Sequence, residues 1–549
     1  MPAIHVLVAD PLAEEGLARL RARGGVTVSV RPGLSEEALA EAVRGADGLI
    51  IRSGVRVTAR VLERPGRLRA VVRAGVGVDN VDLEAATQRG ILVMNTPDGN
   101  TITTAEHTLA LMLALSRHVP TADALVRAGR FAEARKTCMG AQLAGKVLGI
   151  VGLGRVGRAV AQRALGLEMK VLGYDPYYSG EAVDLPSGER VPLLPSLDEL
   201  LPQVDYLTLH TPLSEGTRHM IGRAQLQRMK RTARLLNVAR GGLVHEAELA
   251  AALAEGLIAG AAVDVFEQEP PPPDHPLLRA NNVVLTSHLG ASTEEAQSAV
   301  AVEAADLLLD YLLADRIRNA VNAPDLKASL SDHDRRHLDL ARRLGRLAAV
   351  LSSGRLRSVR LVAAGQGLEP LASTLARAAL VELLRPGLDT PPNLINAPLF
   401  AQARGLTLSH EWRPAGEQGG ERLMLIVEQE GGPEGESGGS LCCEGAVYHQ
   451  VDNRPRLLSV AGYRMDLVPE GPLLLLFNRD EPGVVGLVGT LLGRHRVNIA
   501  DMTLSRQGSR AMMLLKLDAE VQEGVLEQLR ALPPVERVYQ VSLPPLAPT

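Results

Sequence analysis

Residues 146–165 read KVLGIVGLGRVGRAVAQRAL, and their order decides the architecture of the middle of the chain. An apolar run, Lys146–Val151, reads as a buried strand. It enters Gly152-Leu153-Gly154-Arg155-Val156-Gly157, and Arg158–Leu165 then continues with helical periodicity. Glycines at 152, 154 and 157 permit a tight turn and bring a pyrophosphate close to a helix N-terminus, where backbone N–H groups and the helix dipole favour an anion. The next apolar run ends at Tyr174-Asp175-Pro176, so Asp175 lies 18 residues beyond Gly157. An acidic residue there accepts hydrogen bonds from the adenosine ribose hydroxyls and repels a 2′-phosphate, which predicts NAD as cofactor in preference to NADP.

Working outward, short aliphatic runs alternate with amphipathic stretches from the start to about Val321, the pattern of parallel βαβ units. Strands are predicted at Ile4–Ala9, Val26–Val30, Gly48–Ile51, Ala70–Arg73 and Ile91–Met94. A long connector helix, Thr103–Arg117, follows, opened by Thr103-Thr104-Ala105-Glu106 as a capping box. A second series holds Val147–Val151, Lys170–Tyr174, Tyr206–Leu209, Arg234–Asn237, Ala261–Val263 and Val283–Leu285, and a helix over Ser292–Leu313 carries the chain back to the first lobe. After a texture change at about Asp325, with a Gly/Glu/Ser-rich loop at Gln429–Ser440, the break Pro469–Pro472 precedes a βαββαβ pattern of ferredoxin type. The tail LPPLAPT reads as frayed. The expected fold is therefore α/β: two Rossmann-like or flavodoxin-like lobes with parallel sheets, an α/β intervening domain and a small C-terminal domain. The expected boundaries are 1–97 with 295–324, 98–294, 325–470 and 471–549.

Composition narrows the functional classes. A length of 549 residues exceeds what one core supports, and 46% apolar with 22% charged residues is ordinary for a globular chain. The formal charge of −4 supplies no global attraction to nucleic acid or anionic lipid, and 2% aromatics offers few stacking platforms. No nucleic-acid or membrane partner is expected; the run Leu109–Leu115 is far short of the ~20 residues a bilayer requires. Three cysteines, Cys138, Cys442 and Cys443, two of them adjacent, and an N-terminus without a basic leader predict a reducing, cytoplasmic setting.

Three side chains emerge from successive strand ends of the second lobe, the edge where open α/β sheets bind ligands. Arg240 follows Asn237-Val238-Ala239, Glu269 closes Asp264–Glu269, and His288 lies in Ser287-His288-Leu289-Gly290. The trio suits hydride removal from a 2-hydroxy acid. Arg240 holds the carboxylate and polarises the developing carbonyl, His288 takes the hydroxyl proton, and Glu269 orients the imidazole and raises its pKa. Each residue alone has a bland reading as a salt bridge or cap. Phosphate or carboxylate ligands are available in Arg52-Ser53, in Arg73 before Gly75-Val76-Gly77, and in Arg135-Lys136. His107, on the apolar connector, reads as a packed residue. No metal site is expected.

Residues 1–321 resemble the D-isomer-specific 2-hydroxyacid dehydrogenases, on RAGVGVDNVD (73–82), NTPDGNTITTAEHTLALMLAL (95–115), GKVLGIVGLGRVGR (145–158), LHTPL (209–213), LNVARGGLV (236–244), VDVFEQEP (263–270) and SHLGASTEEAQ (287–297). The resemblance is specifically to the long-form members that oxidise 3-phospho-D-glycerate in serine biosynthesis. It implies Arg240, Glu269 and His288 as the catalytic set and NAD contacts at Val76, Arg155, Val156, Asp175, Thr211, Val238, Asp264 and His288 through Gly290. It also implies phosphate contacts at Arg52 and Arg135, the latter across a subunit interface, and a homotetramer. The last ~75 residues resemble an ACT domain through NRDEPGVVG (478–486) and VNIA (497–500). There the Pro482-Gly483 turn offers donors for a carboxylate, while Asp480 and Asn498, with Asn478 nearby, bind an amino and a hydroxyl group; the resemblance implies L-serine as effector. A ligand-free dimerisation module is the alternative. Residues 325–470 resemble the intervening domain of the long-form enzymes through NLINAPLFAQARGL (393–406). Two other readings stay open: a dehydrogenase for an unphosphorylated 2-hydroxy acid, and a non-catalytic NAD-sensing co-repressor or scaffold.

Overall fold

A computed structural model describes residues 3–326, 329–388, 391–415, 420–430, 439–448 and 453–546. The first lobe is a five-stranded sheet, β1 (Ile4–Val8), β2 (Val26–Val30), β3 (Gly48–Ile51), β4 (Ala70–Arg73) and β5 (Leu92–Asn95), in the order β2-β1-β3-β4-β5. Every pairing in it is parallel. Its central strands are buried throughout, which is why they read as unbroken aliphatic runs.

The connector helix spans Thr101–Ser116, not Thr103–Arg117, and the expected capping box is absent: Asn100 is the N-cap and makes no side-chain cap. Thr103 lies inside the first turn, where its hydroxyl meets that of Thr293 at 3.2 Å. The second lobe has β6 (Val147–Val151), β7 (Lys170–Tyr174), the small hairpin β8 (Ala182–Asp184) and β9 (Arg190–Pro192), then β10 (Tyr206–Leu209), β11 (Arg234–Asn237), β12 (Gly260–Val263) and β13 (Val283–Leu285). Its six-stranded parallel sheet has the order β13-β12-β11-β10-β6-β7. Helix Glu294–Ala314 then returns to the first lobe, where it lies so close to helix Glu14–Arg21 that a Cβ on Gly16 would stand 2.7 Å from the Ala301 carbonyl oxygen. Asn322 closes the return, accepting from Val93 N–H and donating to Thr87 and the Ile91 carbonyl.

Beyond it, β14 (Arg355–Ala364), β15 (Thr407–Arg413), β16 (Glu421–Glu430), β17 (Ser440–Val447), β18 (Pro455–Val460) and β19 (Tyr463–Leu467) form a mixed sheet in the order β15-β14-β16-β17-β18-β19. Helices Asp332–Leu351 and Ala372–Leu384 supply the apolar residues that cover it. The loop expected at Gln429–Ser440 is shorter, because Gln429 and Glu430 end β16 and Ser440 begins β17; residues 431–438 lie outside the described residues. Gln429 is held there by accepting from Ser353 and Gly354 N–H groups.

The last unit pairs β20 (Gly471–Arg479), β21 (Ile499–Gln507), β22 (Arg510–Leu517) and β23 (Val535–Leu543) in the antiparallel order β21-β22-β20-β23, with helices Val484–Arg494 and Glu523–Arg530 on one face. Leu474 and Leu476 face those helices, whereas Leu473, Leu475 and Phe477 join the core of the preceding domain. Burial on both faces explains the run of four leucines where an exposed sheet would alternate. The expected fraying of the tail does not hold for residues 543–546. Leu543 ends β23, the Leu546 N–H donates to Glu470, and the buried Arg343 donates to the carbonyls of Pro469, Pro544 and Pro545; residues 547–549 lie outside the described residues. Among the described residues no single helix is long and apolar enough to cross a membrane.

Arg343 thus staples linker and tail to the intervening helix. Hydrogen bonds from a charged donor contribute about 1.5–3 kcal/mol each, so Arg343→Ala is expected to lower the unfolding midpoint of the C-terminal half by roughly 5–10 °C. Scanning calorimetry that shows no shift would contradict the staple.

Candidate active site

The three glycines after β6 have three separate steric reasons. Gly152 has φ +89° and a Cβ there would stand 2.6 Å from the His210 carbonyl oxygen, so the turn closes against the end of β10. A Cβ on Gly157 would lie 2.1 Å from the Gly152 carbonyl oxygen, which lets helix Arg155–Gly166 seat directly on the turn. Gly154 has nothing within 4 Å, leaving open ground before the helix N-terminus. Asp175, at the end of β7, accepts from Leu153 N–H at 2.9 Å and Tyr177 N–H at 3.0 Å, which fixes its carboxylate beside the same turn. Arg155 reaches out to Asp98 at 2.7 Å, and the Thr211 methyl packs near Gly152. An open anion cradle beside an anchored carboxylate fits the pyrophosphate and ribose of NAD.

Arg240, Glu269 and His288 come from the loops after β11, β12 and β13. Gly241 draws the first two of these loops together, since a Cβ on it would stand 1.9 Å from the Phe266 carbonyl oxygen. His288 Nδ1 lies 2.8 and 3.0 Å from the two Glu269 oxygens. A carboxylate only accepts, so Nδ1 carries the proton and Nε2 presents a lone pair outward. Burial pushes the Glu269 carboxyl up, but hydrogen bonds from His288 and from Phe266 N–H outweigh it and hold the group below its ordinary value.

Asp264 differs from expectation. It is fully buried and does not face the cleft: Oδ1 takes Leu289 N–H, the Thr286 hydroxyl and His107 Nε2, and Oδ2 takes Gly290 N–H. Those contacts hold the turn in which His288 adopts φ +59°. Asp264 therefore organises the loop that carries His288, and His107, read as a packing residue, is one of its donors. Burial raises its pKa, and the hydrogen bonds from His107, Thr286 and Leu289 bring it down to about 2. With a depressed folded value, the stabilisation it contributes is present above the ordinary carboxylate range and is lost only as pH falls through about 2. A Cβ on Gly290 would lie 3.4 Å from both Asp264 Oδ2 and the buried Val238 side chain.

Facing this edge, the first lobe carries cations. A Cβ on Gly75 would fall 1.6 Å from Arg73 Nη1, and one on Gly77 would fall 2.3 Å from Arg240 Nη2. Gly75-Val76-Gly77 is thus glycine-flanked because two guanidiniums occupy the space side chains would need. Arg73 Nε is buried without a hydrogen-bond partner among the described residues. Burial, then Arg240 and Arg52, pull its pKa down to about 10, against Asp79 and Asp10. Among the described residues Arg240 forms its ion pair with Asp79, at 3.4 Å, and Asp79 is 68% exposed. The buried Asp10 accepts from the Arg52 N–H at 2.6 Å, and Asn80 donates to the Arg52 and Val55 carbonyls, so Arg52 and the neighbouring exposed Ser53 sit on a fixed loop. Asp10 and Asn80 escaped the sequence reading because they bind backbone, which no motif marks.

Other expected site residues are not gathered here. Arg135 and Lys136 lie exposed in the last turn of helix Phe131–Thr137, and neither makes a hydrogen bond or ion pair among the described residues. Asn478 is buried, its Nδ2 donating to the Arg479 carbonyl while its Oδ1 has no hydrogen-bond partner among the described residues. Asp480 pairs with Arg506 at 3.3 Å and Asn498 with Asp518 at 2.7 Å, and no contact among the described residues joins the three.

The family model for the NAD binding domain of D-isomer specific 2-hydroxyacid dehydrogenases matches residues 109–290, and that for the ACT domain matches 473–534. D-3-phosphoglycerate dehydrogenase of Methanocaldococcus jannaschii is 39% identical over 542 residues, covering 98% of this chain and 100% of its own. The protein of that name from Bacillus subtilis is 33% identical over 547 residues, with 98% and 100% covered. Among solved structures, a protein from Thermus thermophilus aligns with TM-score 0.53 at 41% identity, over 58% of this chain and 100% of that one. A glyoxylate reductase from Paecilomyes thermophila gives TM-score 0.53 at 28% identity, over 58% and 99%.

The steric role of Gly157 is directly testable. Gly157→Ala forces helix and turn apart, and a displacement on the scale of ~1 Å is expected to weaken NAD binding by about 100-fold in calorimetric titration. Unchanged affinity would contradict the packing argument.

Proposed function

The chain belongs to the D-3-phosphoglycerate dehydrogenases, long-form members of the D-isomer-specific 2-hydroxyacid dehydrogenase family, and on that premise we propose how its residues oxidise 3-phospho-D-glycerate to 3-phosphohydroxypyruvate with NAD. This is the first step of the phosphorylated route to L-serine. The observation that carries the mechanism is the His288–Glu269 pair facing Arg240 and Arg73 across one cleft.

Arg240 binds the substrate carboxylate in place of the exposed Asp79 and, as a fixed cation, favours the developing carbonyl oxygen. The N–H groups of Gly75-Val76-Gly77 offer further donors to that carboxylate. Arg73 and Arg52 supply the charge that a phosphate answers, with Ser53 beside them. His288 Nε2 takes the proton of the C2 hydroxyl, and Glu269 stabilises the imidazolium that results through Nδ1–H. NAD, when bound, accepts the hydride from the same carbon. Gly152, Gly154 and Gly157 with Arg155 and Val156 would hold the pyrophosphate of NAD, Asp175 would bind the ribose diol, and Thr211, Val238, Gly290 and Val76 would line the nicotinamide site. An unphosphorylated 2-hydroxy acid would leave Arg73 unanswered, and a non-catalytic sensor would have no use for an oriented base at His288.

Assembly and regulation belong to the same proposal. Helix Val119–Arg127 buries none of its residues, and Val119, Val126, Phe131 and Met139 are 53, 47, 67 and 82% exposed. A second copy covering this face would carry Arg135 to its partner's cleft and, with pairing of the ACT domains, build a homotetramer. L-serine is the effector assigned to the ACT domain, with Gly483 at φ +93° opening helix Val484–Arg494 beside Asp480. The free thiols Cys138, Cys442 and Cys443 suit a cytoplasmic setting.

His288→Ala and Arg240→Ala are each expected to lower turnover by at least ~100-fold in NADH-coupled assays while NAD still binds; retained turnover in either would overturn its role. Sedimentation equilibrium is expected to give four chains per particle, and dialysis of the same preparation to retain labelled L-serine in the native chain and not in Asp480→Ala. A monomer, or no retained serine, would overturn the corresponding part.

A further inference from the structure

Remote from the dehydrogenase chemistry, the first turns of helix Asp332–Leu351 and the first residue of β16 bring two imidazoles and a carboxylate together. His333 and His337 are one helical turn apart with ring centroids 4.5 Å from each other. Glu421 Oε2 lies 2.5 Å from His333 Nε2 and 3.2 Å from His337 Nε2. One ligand atom from each residue falls within 4.8 Å of the others. The carboxylate is backed by Gly365, whose φ of +137° and missing Cβ, 2.6 Å from Glu421 Cγ, make room for it.

Proton placement makes this cluster more than an ion pair. His337 is fully buried, and its Nδ1 lies 2.9 Å from the His333 carbonyl oxygen. A carbonyl only accepts, so Nδ1 carries the proton. The Nε2 of that ring is then the nitrogen turned to the Glu421 carboxylate, at 3.2 Å, in the position of a metal ligand. His333 shows the orientation that serves a metal ligand: Nε2 faces Glu421 while Nδ1 lies 3.5 Å from Asp334 Oδ1, a carboxylate behind the imidazole. Asp334 is itself locked in a capping box with Ser331.

We propose that His333, His337 and Glu421 bind a divalent transition-metal cation, Zn2+ by the character of the ligands. Bond lengths of ~2.0–2.2 Å in tetrahedral geometry set ligand–ligand edges near ~3.3 Å. The His337–Glu421 edge of 3.2 Å already has that length, and the His333–Glu421 edge of 2.5 Å opens by under ~1 Å, a small adjustment for a histidine side chain that is 34% exposed. Two imidazoles and one carboxylate select Zn2+, Co2+ or Ni2+ over Mg2+ or Ca2+, which prefer all-oxygen shells. The pattern went unnoticed in the sequence because the third ligand comes from a strand far along the chain.

The test uses the full-length chain, stripped with chelator and titrated with Zn2+ by calorimetry and with Co2+ by visible absorption. The expected result is one equivalent per chain with the intense ligand-field bands of four-coordinate Co2+. Glu421→Gln preserves shape and removes the charge, and His333→Ala removes the most exposed ligand; each is expected to weaken uptake at least ~100-fold and abolish the bands. Dehydrogenase turnover of both variants reports that the chain is folded. Absence of stoichiometric uptake by the native chain overturns the proposal, as does uptake unchanged in Glu421→Gln.

Discussion

The Arg73 guanidinium is largely enclosed, carries a buried Nε without an acceptor among the described residues, and shares its corner of the cleft with Arg240 and Arg52. Burying a cation without a partner is costly, and crowding like charges adds to the cost. The chain accepts this arrangement through Gly75 and Gly77, whose missing side chains leave the space in which the two guanidiniums fit. Asp79, mostly exposed, and Asp10, engaged with backbone, offset the cluster only in part, since the Arg73 pKa still falls to about 10. On the proposed function, an incoming substrate with a carboxylate and a phosphate answers this charge beside the His288–Glu269 pair.

That base depends on a second buried charge. Asp264 collects two backbone N–H groups, a threonine hydroxyl and His107 from the connector helix, and so fixes the turn that carries His288 in a left-handed conformation. The connector helix is thus tied to the cleft by Asp264 and, through Thr104, by the Gly290 carbonyl. Movement of one lobe against the other would pull on the loop that holds the base. Parallel strands deliver all of these loops to one edge, which is why residues far apart in the chain meet.

Much of this was legible in the sequence because the chemistry left local marks. Gly152, Gly154 and Gly157 are spaced for a turn, and Arg240, Glu269 and His288 follow aliphatic runs that could only be buried strands. What was not legible came from long-range contacts. Asp264 reads as a strand-end carboxylate like any other; only the fold shows that four donors enclose it. The Thr103 capping box matched its pattern, yet Asn100 starts the helix because its carbonyl already takes the Thr104 N–H. LPPLAPT has the composition of a frayed end, and the Pro544 and Pro545 carbonyls are instead held by an arginine about 200 residues away. That Asn478 is buried follows from its place on β20, which the residue type does not reveal.

The central claim is that the cationic cluster of Arg73, Arg240 and Arg52 selects a substrate with two anionic groups. Comparing kcat/KM for 3-phosphohydroxypyruvate and hydroxypyruvate in the reductive direction tests it most directly, since the two differ only in the phosphate. Two charge-assisted contacts of about 1.5–3 kcal/mol each predict a preference of at least ~100-fold for the phosphorylated keto acid. Equal efficiency on both would mean that these arginines serve the fold and not the substrate.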